Sequence, residues 1–269
     1  MFKSAKKNSI PYMQSAILGQ CDFLDHAFCT RHGGTSLDDY KSLNMSFREG
    51  DETFRVQQNW SMLARSFNIP LERFLVLNQV HGDGILVAEA DDADALFQTD
   101  LNYDAIVTNR PGLAICIKTA DCVPVLIADR AKKVVAAVHA GWKGTALAIS
   151  AKVIHLMCKR YASRPQDILA AIGPSIGLCC YEVDHVTAQA FRAQKDSASF
   201  LFANTAKSSK WMVDLPEANR RQILDCGVPA ANIESSGYCT MCNSDIFFSH
   251  RGSGGITGRQ INFMIIRET

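Results

Sequence analysis

The 269-residue chain predicts an α+β fold in a single domain. Three observations predict it. Short β-branched and apolar runs lie close together in sequence, as hairpins require. Apolar residues at helical spacing interrupt them in only a few places. No internal repeat, low-complexity run or Pro/Gly/Ser-rich linker divides the chain. Residues 1–269 are therefore read as one domain, with 1–24 a peripheral N-terminal segment.

The elements follow in order. A helix over 51–67 starts near Asp51 and places Val56, Trp60, Leu63 and Phe67 on one face. Strands are predicted over 74–80, 85–89, 104–107, 113–118, 123–128 and 133–139, each apolar and bounded by Gly, Pro, Asn or Asp. The acidic stretch 91–100 reads as a surface loop. After Gly144, Leu147, Ile149, Val153, Ile154, Leu156 and Met157 give a helix over 145–161. A strand over 168–172 and a helix over 184–194 come next. In the helix over 214–226, Pro216 suits the first turn and Gly227 the C-cap. Strands over 233–237 and 260–266 complete the chain.

Composition bounds the function. The chain is 47% hydrophobic and 20% charged, which allows a core without disulfide or metal staples. A formal net charge of +1 supplies no field to gather nucleic acid or an anionic membrane. The basic start, Lys3, Lys6 and Lys7, has no apolar run behind it, so neither a secretory signal nor a membrane span is expected. Several of the ten cysteines, Cys116 and Cys158 among them, lie in apolar runs where a free thiol acts as a small hydrophobe. A reducing cytoplasm is the expected compartment. Monomer and weak homodimer are both allowed.

Two imidazoles and a thiol share one local grammar. His139 ends the apolar run Val134-Val135-Ala136-Ala137-Val138 and precedes Ala140-Gly141-Trp142-Lys143-Gly144. His81 follows another strand-like run, and Cys122 lies between two. Two His and one Cys form an accepted catalytic zinc set that leaves a fourth position open, and the long spacings suit ligands on separate strands of a sheet. Two satisfied core imidazoles and a buried thiol would read the same way. Asp121 can orient an imidazole or serve as acid/base, or simply close the strand in an Asx turn. Lys143 and the amides after Gly141 suit an anion, though a lysine there also fits a solvated surface. Arg31, before Gly33-Gly34, suits phosphate or carboxylate, or caps a turn. Cys239-Thr240-Met241-Cys242 can be redox-active, half a zinc site, or unpaired structural thiols, the last being preferred. Cys179-Cys180 reads as packing and turn chemistry.

Several motifs carry a resemblance. Thr30-Arg31-His32-Gly33-Gly34, Ser42-Leu43-Asn44, Gln79-Val80-His81-Gly82, Thr119-Ala120-Asp121-Cys122-Val123-Pro124 and His139-Ala140-Gly141-Trp142-Lys143-Gly144 resemble the YfiH family. So do Ile172-Gly173-Pro174-Ser175-Ile176, Cys179-Cys180-Tyr181-Glu182-Val183 and the tail from Phe247 to Gln260. The family is also called laccase-domain or polyphenol-oxidase-like. His250 stands where many relatives have Tyr. The resemblance implies an α+β sandwich related to cytotoxic-necrotising-factor deamidase domains, with zinc on His81, Cys122 and His139. It also implies phosphorolysis of adenosine, inosine and S-methyl-5'-thioadenosine, with deamination of adenosine. The expected partners are then purine nucleosides and phosphate, with Arg31, Asn44 and Lys143 placing phosphate and Asp121 and Cys122 catalytic. A second branch of the family implies a peptidoglycan-editing amidohydrolase that removes L-serine from a cell-wall precursor, with Cys122 a nucleophile beside His139. A metal-binding regulator without turnover ranks lowest.

Copper-dependent polyphenol oxidation is disfavoured. The trinuclear copper cluster of such enzymes is built from His-x-His pairs, and none of the seven His forms one. Copper in the His/Cys/His set is compatible with the ligands but is not the expected metal. The ordinary zinc-deaminase design needs His-x-Glu and Pro-Cys-x-x-Cys; no His-x-Glu exists, and Tyr238 precedes Cys239.

Overall fold

Strands buried on both faces read as continuous apolar runs, and the central strands of this protein show why. In the computed structural model, which describes residues 1–88, 101–205, 207 and 209–268, two six-stranded sheets stack face to face. The first runs in the order β1 (Lys3–Lys7), β2 (Ile10–Gln14), β3 (Leu24–Cys29), β15 (Gln260–Ile266), β7 (Ala114–Thr119), β4 (Phe74–Val76). The second runs β14 (Ile233–Ser235), β10 (Ile168–Ile172), β8 (Val123–Asp129), β9 (Val134–Ala140), β6 (Ala105–Thr108), β5 (Ile85–Val87). A small sheet, β11 (Glu182–Val183), β13 (Trp211–Val213) and β12 (Leu201–Ala203), sits beside them.

Side chains alternate between two cores. On β8, Leu126 and Ala128 point between the sheets, while Val125 and Ile127 point outward. The inner layer joins them to Phe28, Leu75, Ile115, Ala137 and Met264. The outward face of the second sheet is covered by α3 (Ile149–Tyr161) and α5 (Leu215–Asp225) through Val153, Met157 and Ile223, and α4 (His185–Arg192) adds Phe191 to the same core. The outward face of the first is covered by α1 (Thr53–Phe67), whose Val56, Trp60 and Leu63 meet Phe74 and Phe263. Each such buried aliphatic side chain contributes about 1.5–3 kcal/mol, so layer stacking dominates the fold. The α+β fold expected from the sequence, and the mixed α/β sandwich that the resemblance implies, are the fold observed.

Local differences have local causes. The strand expected over 74–80 stops at Val76, because Gln79 leaves the sheet edge to bond both backbone groups of Lys118. The helix expected over 145–161 is two helices, α2 (Trp142–Ala146) and α3, parted by Ala148 in the left-handed region at φ 60°. The carbonyls freed there accept from Gln222, 2.7 Å to Thr145, and Gln194, 3.0 Å to Ala146. Residues 1–24 supply β1 and β2 at the sheet edge and bury Ile10 and Leu18 fully. They therefore belong to the first sheet. The acidic stretch 91–100 lies outside the described residues.

His26 on β3 is a polar group inside this packing, 2% exposed, whose Nε2 accepts the Ser15 amide at 2.9 Å. Burial drives its pKa down from 6.5 to about 4. A depressed histidine contributes stability that is present above the unfolded pKa and is lost as pH falls through the folded one. Stability should therefore fall between pH 6.5 and about 4 by about 3 kcal/mol through this residue. Urea midpoints measured across that range should flatten in His26→Gln; an unchanged pH slope overturns the assignment.

Candidate metal centre

Three turns converge where the two sheets meet. The β7–β8 connection passes from the first sheet to the second and carries Cys122. Asp121 makes that turn with φ 86°, outside the range favoured by most side chains. His139 is the penultimate residue of β9 and is buried at 3% exposure. His81 lies in a turn at φ 59°, beyond β4 and not at a strand end as expected. Its ring stands edge-on to His139 with centroids 4.9 Å apart. One donor atom each from His81, Cys122 and His139 falls within 4.8 Å of the others.

The arrangement fits a metal ion. Gly141 faces all three ligands: a Cβ there would sit 2.9 Å from His81 Cδ2 and 3.2 Å from Cys122 Sγ, so a larger residue would fill the cradle. Burial alone would raise the Cys122 thiol, yet His139 and His81 beside it bring it down to about 6. For His139, burial opposes the charge, but Cys122 and Asp104 outweigh it and raise the pKa. Thiolate is thus favoured, the form a metal requires.

Asp104 holds this centre together and was missed by the sequence reading. It is fully buried, immediately before β6. Its Oδ1 meets His139 Nδ1 at 2.8 Å and accepts the His81 amide at 3.0 Å. Its Oδ2 accepts the Gly82 amide at 2.6 Å and the Val80 amide at 3.3 Å. Its carbonyl accepts the His139 amide at 2.7 Å. Burial would raise the Asp104 carboxyl, but these donors hold it below the ordinary value. A carboxylate behind a ligating imidazole fixes its tautomer and leaves Nε2 for the metal. The available signal was an acid directly preceding the apolar run Ala105-Ile106-Val107.

The metal set lines a cavity of about 730 Å³. Its cations are Arg48, Lys118, Lys210, Arg251 and Arg259, with aromatic faces from Trp142 and Tyr181. Lys118 directly follows the apolar run over 113–117, a signal the sequence reading passed over. Burial, reinforced by Arg48, lowers its pKa to about 8. Arg48 bonds Asn78, and Arg259 pairs with Glu49 at 2.7 Å.

The cations expected from sequence lie elsewhere. Arg31 donates to the carbonyls of Lys41 and Ser244, at 2.8 and 2.7 Å, and stacks 4.7 Å over Phe248. It organises a turn. Lys143 is exposed and lies over Trp142; α2 spans only five residues. Asn44 is buried, donating to Asp51 at 2.9 Å and accepting the Arg259 amide at 2.9 Å. It therefore places Arg259 from behind. Asp121 lines the cavity, but its two oxygens accept Thr240 Oγ1 and the Arg251 amide, each at 2.6 Å.

Comparison with known proteins places this geometry in a family. A family model described as multi-copper polyphenol oxidoreductase laccase matches residues 25–267. The curated purine nucleoside phosphorylase YlmD of Geobacillus stearothermophilus is 38% identical over 243 residues, 89% of each chain. An adenosine deaminase, RL5, from an unknown prokaryotic organism is 34% identical, over 87% of this chain and 90% of its own. The crystal structure of YlmD from Geobacillus stearothermophilus superposes with a TM-score of 0.90 at 33% identity, covering 99% of both chains. The fold, the matched span and the likeness of these relatives agree, and the chain belongs to the laccase-like family to which YfiH and YlmD also belong.

Proposed function

We propose that the chain is a purine nucleoside phosphorylase that also deaminates adenosine, using zinc on His81, Cys122 and His139. The observation that carries this reading is one cavity with an open His/Cys/His set and a group of cations around Lys118. The names of the relatives support the substrate class. Ten free thiols suit a reducing compartment such as the cytoplasm.

Zinc in this set supplies Lewis acidity and a lowered pKa for water. The chain's own residues do the rest. Lys118, Arg48 and Arg259 hold phosphate as it attacks the anomeric carbon; the C–O bond forms as the C–N bond to the purine breaks. The faces of Trp142 and Tyr181 accept the base. Asp121 acts as a positioning residue, since its oxygens already accept two short hydrogen bonds. Asp104 orients His139 and fixes the His81 turn.

A second reading has its own observation. Asp104, His139 and Cys122 form a carboxylate–imidazole–thiol chain of the kind that activates a nucleophile. It would suit amide hydrolysis. His81 separates the two readings, because a thiol nucleophile has no need of it.

Adenosine with phosphate should give adenine and ribose 1-phosphate, and inosine by deamination; product no greater than a Cys122→Ala control sinks the proposal. His81→Ala should lose the zinc of the His/Cys/His set and both activities, whereas an enzyme with no metal in that set and sensitive to alkylation favours the nucleophile. Asp104→Asn should weaken zinc binding by roughly 10–100-fold, read by chelator competition, with the fold retained. Lys118→Met should raise the phosphate KM roughly 10-fold to 100-fold and leave the adenosine KM nearly unchanged. Because Lys118 is charged below about 8, protection by phosphate should weaken as pH rises through that value. Equal phosphate protection in Lys118→Met and the unaltered protein would refute the role.

A further inference from the structure

A second constellation of metal-ligating side chains lies outside the His/Cys/His set. Cys179 and Cys180 sit in the loop after β10, and Cys239 and Cys242 in the loop after β14. Their four Sγ atoms all fall within 4.8 Å of one another. Cys242 Sγ is 3.5 Å from Cys179 Sγ and 3.4 Å from Cys180 Sγ. A tetrahedral zinc with bonds of about 2.3 Å separates its sulfurs by about 3.8 Å, so the thiols already stand near the required spacing.

The backbone around them is shaped for sulfur. Gly177 donates its amide to Cys239 Sγ at 3.3 Å, the type of bond that steadies a ligating thiolate. A Cβ at Gly177 would lie 3.2 Å from Cys239 Cβ and 3.4 Å from Cys179 Sγ, so a side chain there would press the cluster apart. A bridge between Ser175 and Cys239 fixes the two loops side by side, and the Thr240 amide bonds the Ser175 carbonyl at 2.9 Å. The Cys-x-x-Cys pair thus meets its partners from 60 residues upstream in a register set by backbone bonds.

We propose that Cys179, Cys180, Cys239 and Cys242 form a second, structural metal site for one thiophilic divalent cation of the zinc type. Four thiolates complete a closed tetrahedral shell, the pattern of structural rather than catalytic zinc. Four sulfurs this close suit a single ion, since an iron–sulfur cluster holds its thiolates further apart. The site clamps two loops that wall the cavity. One supplies Ile176 and Tyr181; the other supplies His250 and Arg251. Thr240, between the two ligands of the second loop, donates to Asp121 beside Cys122. The clamp therefore sets the position of the Cys122 turn without touching substrate. This assignment is independent of the reaction proposed above.

The test is metal content under reducing conditions after loading with zinc alone. Unaltered protein should hold about two equivalents per chain, and His81→Ala about one. X-ray absorption of zinc-loaded His81→Ala should show an all-sulfur shell at about 2.3 Å. Cys239→Ser/Cys242→Ser should lose the other equivalent, and its remaining zinc should show mixed nitrogen and sulfur ligands. The His81→Ala arm keeps the test decisive should the cysteine variant fail to fold. A single equivalent lost entirely in His81→Ala overturns the proposal. So does mass spectrometry showing Cys242 in a disulfide with Cys179 or Cys180 in reduced preparations.

Discussion

The centre depends on one buried carboxylate. Asp104 has no access to water, yet its pKa lies below the ordinary value, because His139 and the amides of His81, Gly82 and Val80 all point at it. A buried charge left unpaired would cost several kcal/mol, so these donors are required by the charge as much as they are oriented by it. The result joins a turn at the edge of one sheet to a strand of the other. His81 and His139 are 58 residues apart in sequence, and a single side chain sets both.

The stacked sheets explain why the site lies where it does. Strands apolar on both faces leave no polar surface until they end. The chain must cross from β7 to β8 near the rim, and Cys122 rides that crossing. Cations then collect around Lys118, near the end of β7. Its charge is disfavoured by burial and by Arg48, and an anion in the cavity would relieve both. The same rim carries the two cysteine loops, so Cys122 and the four-cysteine cluster share one wall.

Much of the fold was legible from the residues. The strands over 168–172 and 260–266 match β10 and β15 in full, because both run uninterrupted through a two-sided core. Helix α5 was bounded correctly by Pro216 and Gly227, whose backbone preferences act locally. Partners distant in sequence decided the rest. The break at Ala148 depends on Gln194 and Gln222, and the early end of β4 depends on Gln79 bonding Lys118. The exposed, polar strand β1 gave no clear alternation to read.

The site divides in the same way. The sequence by itself determined the candidate ligands, His81, Cys122 and His139, since each is a side chain of a metal-ligating type set against an apolar run. It also determined that no His-x-His pair could build a multicopper cluster. Only the tertiary structure decided who stands behind and around those ligands. It put Asp104 beneath them, exchanged Arg31 and Lys143 for Lys118, Arg48 and Arg259 at the cavity wall, and gathered four cysteines from two loops. The reason is physical: a ligand's identity is a property of one residue, whereas desolvation, pairing and convergence are properties of the neighbours that packing supplies.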